Sequence, residues 1–251
     1  MHSQGDPLLK ALDGVEQTVP IFVRDDDAGW ADERLVALLR TVHAVDVPID
    51  LAAIPCEVQP ALVSELRARR ADGQRLGIHQ HGFAHTNHEI TGRKSEFGAS
   101  RRLDACVRDI AAGAEQLRGL LGDGVDAIFT PPWNRVAAEL PSALQAMGFA
   151  ALSRDVTAGR QHDIAEIAVH TDWSKQCWLA QEAGDDAERR VSADMARHVT
   201  SGCPLGLMLH HAVMPDAELE LLQSLLRRWG GHPRLHWVLM GELLPVPLEA
   251  A

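Results

Sequence analysis

The chain has 251 residues, and 46% of them are hydrophobic, which is enough for a large buried core and excludes a mainly disordered protein. Its 24 Lys and Arg against 35 Asp and Glu give a formal net charge of −11. This balance argues against a protein that binds the nucleic-acid backbone, which needs clustered basic residues, and no segment has the ~18 consecutive apolar residues of a membrane span.

The sequence predicts a polar N-terminal extension, residues 1–18, followed by a single domain, residues 19–251. The extension has neither the basic region nor the apolar run of a secretory signal. The cysteines of the domain are scattered and form no CxxC pair, a pattern typical of reduced, structural cysteines. They are Cys56, Cys106, Cys177 and Cys203. We therefore expect a cytoplasmic protein.

Short apolar runs alternate along the domain with longer segments of helical period. The predicted strands are 19–23, 49–54, 75–78, 126–129, 149–152, 164–169, 205–209 and 235–240. The predicted helices are 32–45, 60–70, 100–121, 135–147, 186–200 and 216–229. This alternation predicts parallel strands with helices outside the sheet. With seven or eight strands in one domain, an α/β barrel is favoured over an open sheet.

Acidic residues follow the first predicted strand. The segment from Arg24 to Trp30 contains three consecutive carboxylates, Asp25, Asp26 and Asp27. Three adjacent carboxylates repel one another, so the run costs stability unless a cation lies among them. A solvated acidic loop that caps the next helix is the alternative interpretation.

Histidines follow the third predicted strand. His81 and His85 are four residues apart, which predicts that both imidazoles lie on one side of a helical turn and reach one metal. Two histidines and one aspartate supply three ligands and leave a position open for water, as in catalytic zinc sites. The same ligand set suits ferrous iron. Exposed surface histidines are the alternative, and His79 and His88 are expected to be supporting or surface residues.

Further polar and aromatic residues follow other strands, and in α/β barrels the active site is built at these carboxyl ends. Residues 129–135 contain two prolines that stiffen a loop, and Leu209 is followed by His210, a candidate general acid. Asp172 follows the strand predicted at 164–169. Tryptophans lie beside these clusters, where they suit stacking against a sugar ring but could equally be core residues. They are Trp30, Trp133 and Trp173.

In their order along the chain, these motifs resemble those of the polysaccharide deacetylase superfamily, which includes carbohydrate esterase family 4. That family has an Asp-Asp after strand one, a His-x-x-x-His after strand three, a proline-rich substrate loop and a late Leu-His strand end. The resemblance spans about residues 19–240. It implies a distorted (β/α) barrel of about seven parallel strands, a divalent metal and hydrolysis of an acetyl group on an N-acetylated sugar.

The resemblance implies a role for each matching residue of the metal site. Of the Asp-Asp pair, the first would act as the base and the second would bind the metal, which makes Asp26 the base and Asp27 the ligand. An offset of one residue, with Asp25 as base and Asp26 as ligand, is the alternative. His81 and His85 match the two histidine ligands. We expect zinc, with ferrous iron, cobalt or nickel as alternatives.

The resemblance also assigns the general acid: His210 matches the late histidine of the family and would take that role. His211 stands where relatives often have Asp. The arginine that opens the proline-rich loop in the family is Thr130 here. Arg24 lies two positions before Asp26 on the same face of the strand, so we expect it to orient the base instead. The residues expected to bind substrate or support the site are Arg24, Asp25, Trp30, Pro132, Trp133, Asn134, Asp172 and His211.

The family's Gly-Pro after the Asp-Asp is also replaced, by Ala28-Gly29, which indicates a divergent branch. The expected substrate is a small molecule or an oligosaccharide. Another metal-dependent amidohydrolase acting on non-sugar C–N bonds is one alternative, since His79-x-His81 is similar to a motif of amidohydrolase barrels. A catalytically decayed relative that binds metal or carbohydrate is the other.

Overall fold

The computed structural model describes residues 5–159 and 163–244, in which parallel strands alternate with helices. The first four residues of the predicted extension and the last seven of the predicted domain lie outside this part. The strands are β1 (Val19–Ala28), β2 (Ile49–Ala53), β3 (Leu76–His81), β4 (Asp126–Thr130), β5 (Ala151–Leu152), β6 (Ala165–Glu166), β7 (Thr171–Asp172), β8 (Leu205–Leu209) and β9 (Leu235–Trp237). The helices are α1 (Pro7–Asp13), α2 (Asp32–His43), α3 (Pro60–Ala71), α4 (Leu103–Leu121), α5 (Leu140–Ala146), α6 (Trp173–Ala183), α7 (Ala187–Ala196) and α8 (Asp216–Gly230).

The strands form one sheet in the order β6-β5-β4-β3-β2-β1-β8-β7, with β9 paired to the start of β1. Strands β6 and β7 are the two ends of one short segment, residues 165–172. Its start pairs with β5 and its end pairs with β8. Because β5 and β8 lie near opposite edges of the sheet, this segment curls the sheet into a distorted barrel, as the sequence predicts.

One hydrophobic cluster fills the barrel and two pack between its outer face and the helices. The interior cluster includes Phe22 of β1, Met208 of the adjacent β8 and Ile128 of β4, a strand that β2 and β3 separate from β1 in the sheet. Met240, in a short 3-10 helix after β9, is buried in the same cluster. The outer clusters place the apolar stripes of the helices against the sheet.

Helix α1 lies within the segment predicted as an extension, yet it packs into the main outer cluster. Leu8 and Leu12 are fully buried there. Asp6 caps the helix by accepting hydrogen bonds from the N–H groups of Leu8 and Leu9, and it also accepts one from the indole of Trp229. Residues 7–13 are therefore packed against the barrel.

Several predicted boundaries were wrong. Strand β1 continues through the acidic residues to Ala28, with Asp25 paired to His211 and Asp26 paired to Arg24. The helix predicted at 135–147 begins only at Leu140, next to Pro141, a residue that favours the first turn. The strand predicted at 164–169 is shortened to β6, and a second short strand, β7, follows it outside the predicted bounds. Helix α6 was not predicted, since the buried Gln176 interrupts its apolar stripe.

The structure also bears on the cysteines and on membrane insertion. All four cysteines are free thiols. Among the described residues, none of the helices combines the length and apolar character needed to cross a bilayer.

Candidate metal centre and active site

Three side chains converge at the carboxyl end of β1 and β3. The Oδ1 atom of Asp27 lies 3.2 Å from Nε2 of His81 and 3.2 Å from Nε2 of His85. Ligand atoms around a tetrahedral zinc ion are about 3.3 Å apart, so these separations suit a shared cation. Asp27 Oδ1 is buried, and within the described part of the chain it has no hydrogen-bond partner. An orphaned carboxylate oxygen facing two imidazole nitrogens fits a divalent metal.

Hydrogen bonding at His81 and burial at His85 suit ligation as well. Although burial lowers the pKa of His81, its contact with the Asp27 carboxylate and the charge of Asp26 raise it, and a bound cation would compete with that proton. His81 Nδ1 lies 3.0 Å from the carbonyl oxygen of Thr130, to which it donates, so Nε2 is left with its lone pair toward Asp27. Burial alone would raise the Asp27 pKa, but the adjacent His81 imidazole lowers it below its ordinary value. Burial also lowers the pKa of His85, which favours its neutral, ligating form.

The two histidines do not lie on a helical turn, so that part of the prediction was wrong. His81 is the last residue of β3, and His85 follows in an irregular turn. Gly82 (φ 59°) and His85 (φ 52°) both have left-handed backbone conformations, which reverse the chain within the turn. Asp27 also has a positive φ, of 71°. Strained backbone of this kind commonly clusters at functional sites.

Asp26 lies beside the triad and is paired with Arg24. The Arg24 guanidinium donates from Nε to Oδ1 at 2.7 Å and from Nη2 to Oδ2 at 2.8 Å. Both side chains are buried. Burial alone would raise the Asp26 pKa, but the charge of Arg24, followed by those of His81 and His210, lowers it to about 2. Asp26 is therefore a carboxylate at neutral pH.

Arg24 is itself held by partners from across the barrel. Its Nη1 donates to Ser153 Oγ at 2.8 Å, and Ser153 donates in turn to the carbonyl of Ile167 at 2.6 Å. Its Nη2 also lies 3.3 Å from Asn134 Oδ1. Ser153 was missed in the sequence, although its position directly after β5 is the carboxyl-end signal that identified the other residues.

Asp25 points away from the triad and pairs with His211. His211 donates from Nδ1 to Asp25 Oδ2 at 2.6 Å and from Nε2 to the carbonyl of Trp30 at 2.7 Å. Although burial lowers the pKa of His211, the charge of Asp25 and its hydrogen bond raise it to about 9. This buried ion pair joins the ends of β1 and β8. The structure thus separates the adjacent carboxylates: Asp27 meets the histidines, Asp26 meets Arg24 and Asp25 meets His211.

His210 and Asp172 lie on the same rim. His210 is half-buried at the end of β8, and it is one of the charges that act on Asp26. Asp172 ends β7 opposite Met208, and its side chain caps α6 by accepting from the N–H of Lys175 at 3.1 Å. His210 therefore lies close enough to act on Asp26, whereas the Asp172 side chain is engaged at the start of α6, so its predicted role in substrate binding stays a prediction.

Aromatic rings flank His85. The Trp30 ring centroid is 4.8 Å from that of His85, and the Trp133 centroid is 4.5 Å from it. The predicted proline-rich loop forms a short 3-10 turn in which Trp133 and Asn134 are left-handed. Trp173, by contrast, is a fully buried core residue whose indole donates to Glu218.

Several solved structures share this fold at low sequence identity. A candidate polysaccharide deacetylase from Mycobacterium smegmatis superposes with a TM-score of 0.67 at 15% identity, over 91% of this chain and 90% of that one. A family 4 acetyl xylan esterase from Clostridium thermocellum, in complex with cobalt, has a TM-score of 0.57 at 14% identity, over 89% of each chain.

A mutant of a family 4 pseudoenzyme with restored enzymatic activity superposes with a TM-score of 0.53 at 13% identity, over 86% of this chain and 64% of that one. No family model and no curated protein matches the sequence. The chain therefore has the polysaccharide deacetylase fold, and the distorted barrel predicted from the sequence is confirmed.

Proposed function

We propose that this protein is a metal-dependent hydrolase that removes an acetyl group from an N-acetylated sugar. The observation that carries this proposal is the convergence of Asp27, His81 and His85 on one point, beside a buried carboxylate held ionised by Arg24. This constellation lies at the carboxyl end of a polysaccharide deacetylase fold, the end at which α/β barrels build their active sites.

The side chains divide the work of amide hydrolysis between them. A divalent cation held by the triad would polarise the acetyl carbonyl and acidify a water molecule. Asp26, ionised by its pairing with Arg24, accepts the proton of the attacking water. His210, at the end of the adjacent strand β8, donates a proton to the departing amine. Trp30 and Trp133 offer ring faces on which a sugar can stack.

Zinc is the proposed metal, with cobalt, nickel and ferrous iron as alternatives, because two imidazoles and a carboxylate suit all of them. The cytoplasm stays the predicted compartment. The cysteines are free thiols, the state that a reducing compartment maintains.

The proposal is tested by stripping the purified protein with a chelator, reloading it with each metal and measuring metal content and acetate release. Substrates are N-acetylated mono- and oligosaccharides and an O-acetylated xylan. D27A and H81A are expected to lose the bound metal. D26N is expected to keep the metal and to lose about 10²–10⁴-fold in kcat, the usual contribution of a general base.

The matched control is D46N. Asp46 is an exposed aspartate whose backbone is left-handed (φ 54°), as that of Asp27 is. It should retain full metal content and activity. Wild-type turnover in D26N, or an unloaded wild-type protein, would contradict the proposal.

A non-catalytic binder is the main rival, since the loop arginine of the family is Thr130 here. The pairing of Arg24 with Asp26 argues against decay, because the base still has a bidentate guanidinium partner. Stoichiometric metal with no acetate release from any substrate would favour the rival. Ammonia or amine release from non-sugar amides would favour another amidohydrolase.

A further inference from the structure

His85 is the ligand with the least support from regular structure. Asp27 belongs to β1 and His81 to β3, whereas His85 ends the irregular turn 82–85. A ligand on a turn is held only as firmly as the turn itself.

Backbone hydrogen bonds hold the first half of the turn, from the N–H of Gly82 to Thr130 and from the N–H of Cys56 to Phe83. The buried carboxylate of Glu96 binds the two N–H groups nearest to His85 on its N-terminal side. Its Oε1 accepts from the N–H of Ala84 at 2.8 Å and its Oε2 accepts from the N–H of Phe83 at 3.2 Å. Glu96 is 1% exposed, so water does not compete for these bonds. Hydrogen bonds from backbone N–H to a carboxylate are among the strong ones in proteins.

Glu96 is itself anchored. Its neighbour Phe97 is fully buried against Phe129, and the carbonyl of Phe97 accepts from the N–H of Ala137 at 2.7 Å. The segment around Glu96 is therefore tied to the core on one side and to the turn on the other.

The contact between Glu96 and the turn leaves no spare room. A Cβ at Gly82 would lie 2.2 Å from Glu96 Oε2 and 2.7 Å from the ring of Pro132. Gly82 thus meets two demands at once, a positive φ and a close approach.

We propose that Glu96 is a positioning residue of the metal centre: by binding the N–H groups of Phe83 and Ala84, it sets His85 at ligating distance from Asp27. This inference rests on the proposed function, since it requires that the triad hold a cation. Partners of metal ligands typically affect metal affinity by about 10–100-fold.

The test is the affinity for zinc and for cobalt, measured by competition with a chromophoric chelator, in wild type and in E96Q. Glutamine has nearly the same shape but has one acceptor oxygen, and its amide NH₂ would face a backbone donor. We expect a loss of about 10–100-fold in affinity and an altered cobalt absorption spectrum, with thermal unfolding showing a folded protein.

E89Q is the matched control. Glu89 lies in the same loop and accepts hydrogen bonds from Ser100, but it is only partly buried and makes no bond to turn 82–85. Its metal affinity is expected to equal that of wild type. An equal loss in E89Q and E96Q would overturn the proposal, because it would reflect general loosening of the loop.

A double-mutant cycle separates positioning from plain stabilisation. If Glu96 acts through His85, then E96Q has no further effect on metal affinity in an H85A background. A further loss of equal size there, or wild-type affinity in folded E96Q, would overturn the proposal. Should E96Q not fold, the same cycle with E96D decides. A wild-type protein that binds no divalent cation would instead refute the proposed function.

Discussion

Asp26 of β1 and Asp50 of β2 are buried aspartates on neighbouring strands, and both face the barrel interior. Arg24, the residue that pairs with Asp26, lies directly opposite Asp50 in the strand register. Asp26 is 3% exposed and Asp50 is 0% exposed. Their solvation is thus similar, yet their protonation differs.

The difference comes from their partners. Asp26 has two hydrogen bonds from a guanidinium, and its pKa falls to about 2 despite burial, which acts in the opposite direction. Asp50 accepts one backbone N–H, from Met240, and its other oxygen has no partner among the residues described. Burial, with Asp126 and Glu242 nearby, holds the pKa of Asp50 well above its ordinary value.

This comparison shows that burial alone does not decide the charge of a carboxyl group. At the rim, where the strands end, the Arg24 guanidinium compensates the charge of Asp26. At the floor, the part of the barrel interior around Asp50, the carboxyl group keeps its proton and carries no charge. Charge at the rim can serve chemistry, whereas a neutral acid at the floor serves packing.

The largest expected effect comes from removing the cation at the rim. R24M leaves the Asp26 carboxylate buried and uncompensated, so we expect the free energy of unfolding to fall by about 3–5 kcal/mol. Urea unfolding of the metal-free protein at pH 7 measures it.

The double variant R24M/D26N serves as the control for R24M. It removes the charge as well and is expected to be more stable than R24M alone. If the free energy of unfolding of R24M lies within about 1 kcal/mol of that of wild type, then Arg24 does not compensate a buried charge on Asp26.

A second effect concerns Asp25 and His211, the third buried carboxyl and its partner. Raising the His211 pKa from 6.5 to about 9 corresponds to about 3 kcal/mol of stability. Because the folded-state pKa is raised, this stability is fully present below about pH 6.5 and is lost as the pH rises through about 9.

Urea unfolding of wild type and H211N between pH 6 and pH 9.5 measures this loss. The difference in free energy of unfolding between wild type and H211N should shrink as the pH rises across that window. For H43N, at an exposed histidine, the difference from wild type should be the same at every pH. A constant difference for H211N as well would mean that His211 is not charged in the folded protein.

Much of this arrangement could be predicted from the sequence, because it depends on local pattern. The alternation of apolar runs and helical segments predicted the barrel, and the carboxyl-end rule brought Asp27, His81 and His85 to one edge. The pairing of Arg24 with Asp26 depends on the two-residue period of a strand, which is also local.

What could not be predicted depends on contacts between distant segments. Nothing near Glu96 indicates that it binds the turn before His85. Asp50 stands in an apolar strand where an ionised carboxylate would be costly, and only the proximity of Gly77, Asp126 and Met240 explains it. A Cβ at Gly77 would lie 1.9 Å from Asp50 Oδ1, so that glycine makes the space for the carboxyl group.

The smallest expected effect, and the only gain, is that of D50N. The amide has the shape of the protonated acid, can accept from the N–H of Met240 and can donate toward Asp126. Because the folded-state pKa of Asp50 is raised, ionisation in the unfolded state makes wild type progressively less stable as the pH rises above 3.8. D50N should therefore be more stable than wild type at pH 7, by less than R24M loses, and the difference should vanish near pH 3.

D50A lacks the carboxyl group that accepts from the N–H of Met240. It should be less stable than wild type at pH 3 and at pH 7, since it leaves that buried N–H without a partner. Urea unfolding at pH 3, 5 and 7 distinguishes the three proteins. A D50N protein less stable than wild type at pH 7 would mean that Asp50 is ionised in the folded protein. Asp50 would then have to be compensated by a cation, as Asp26 is by Arg24, and the contrast between floor and rim would be wrong.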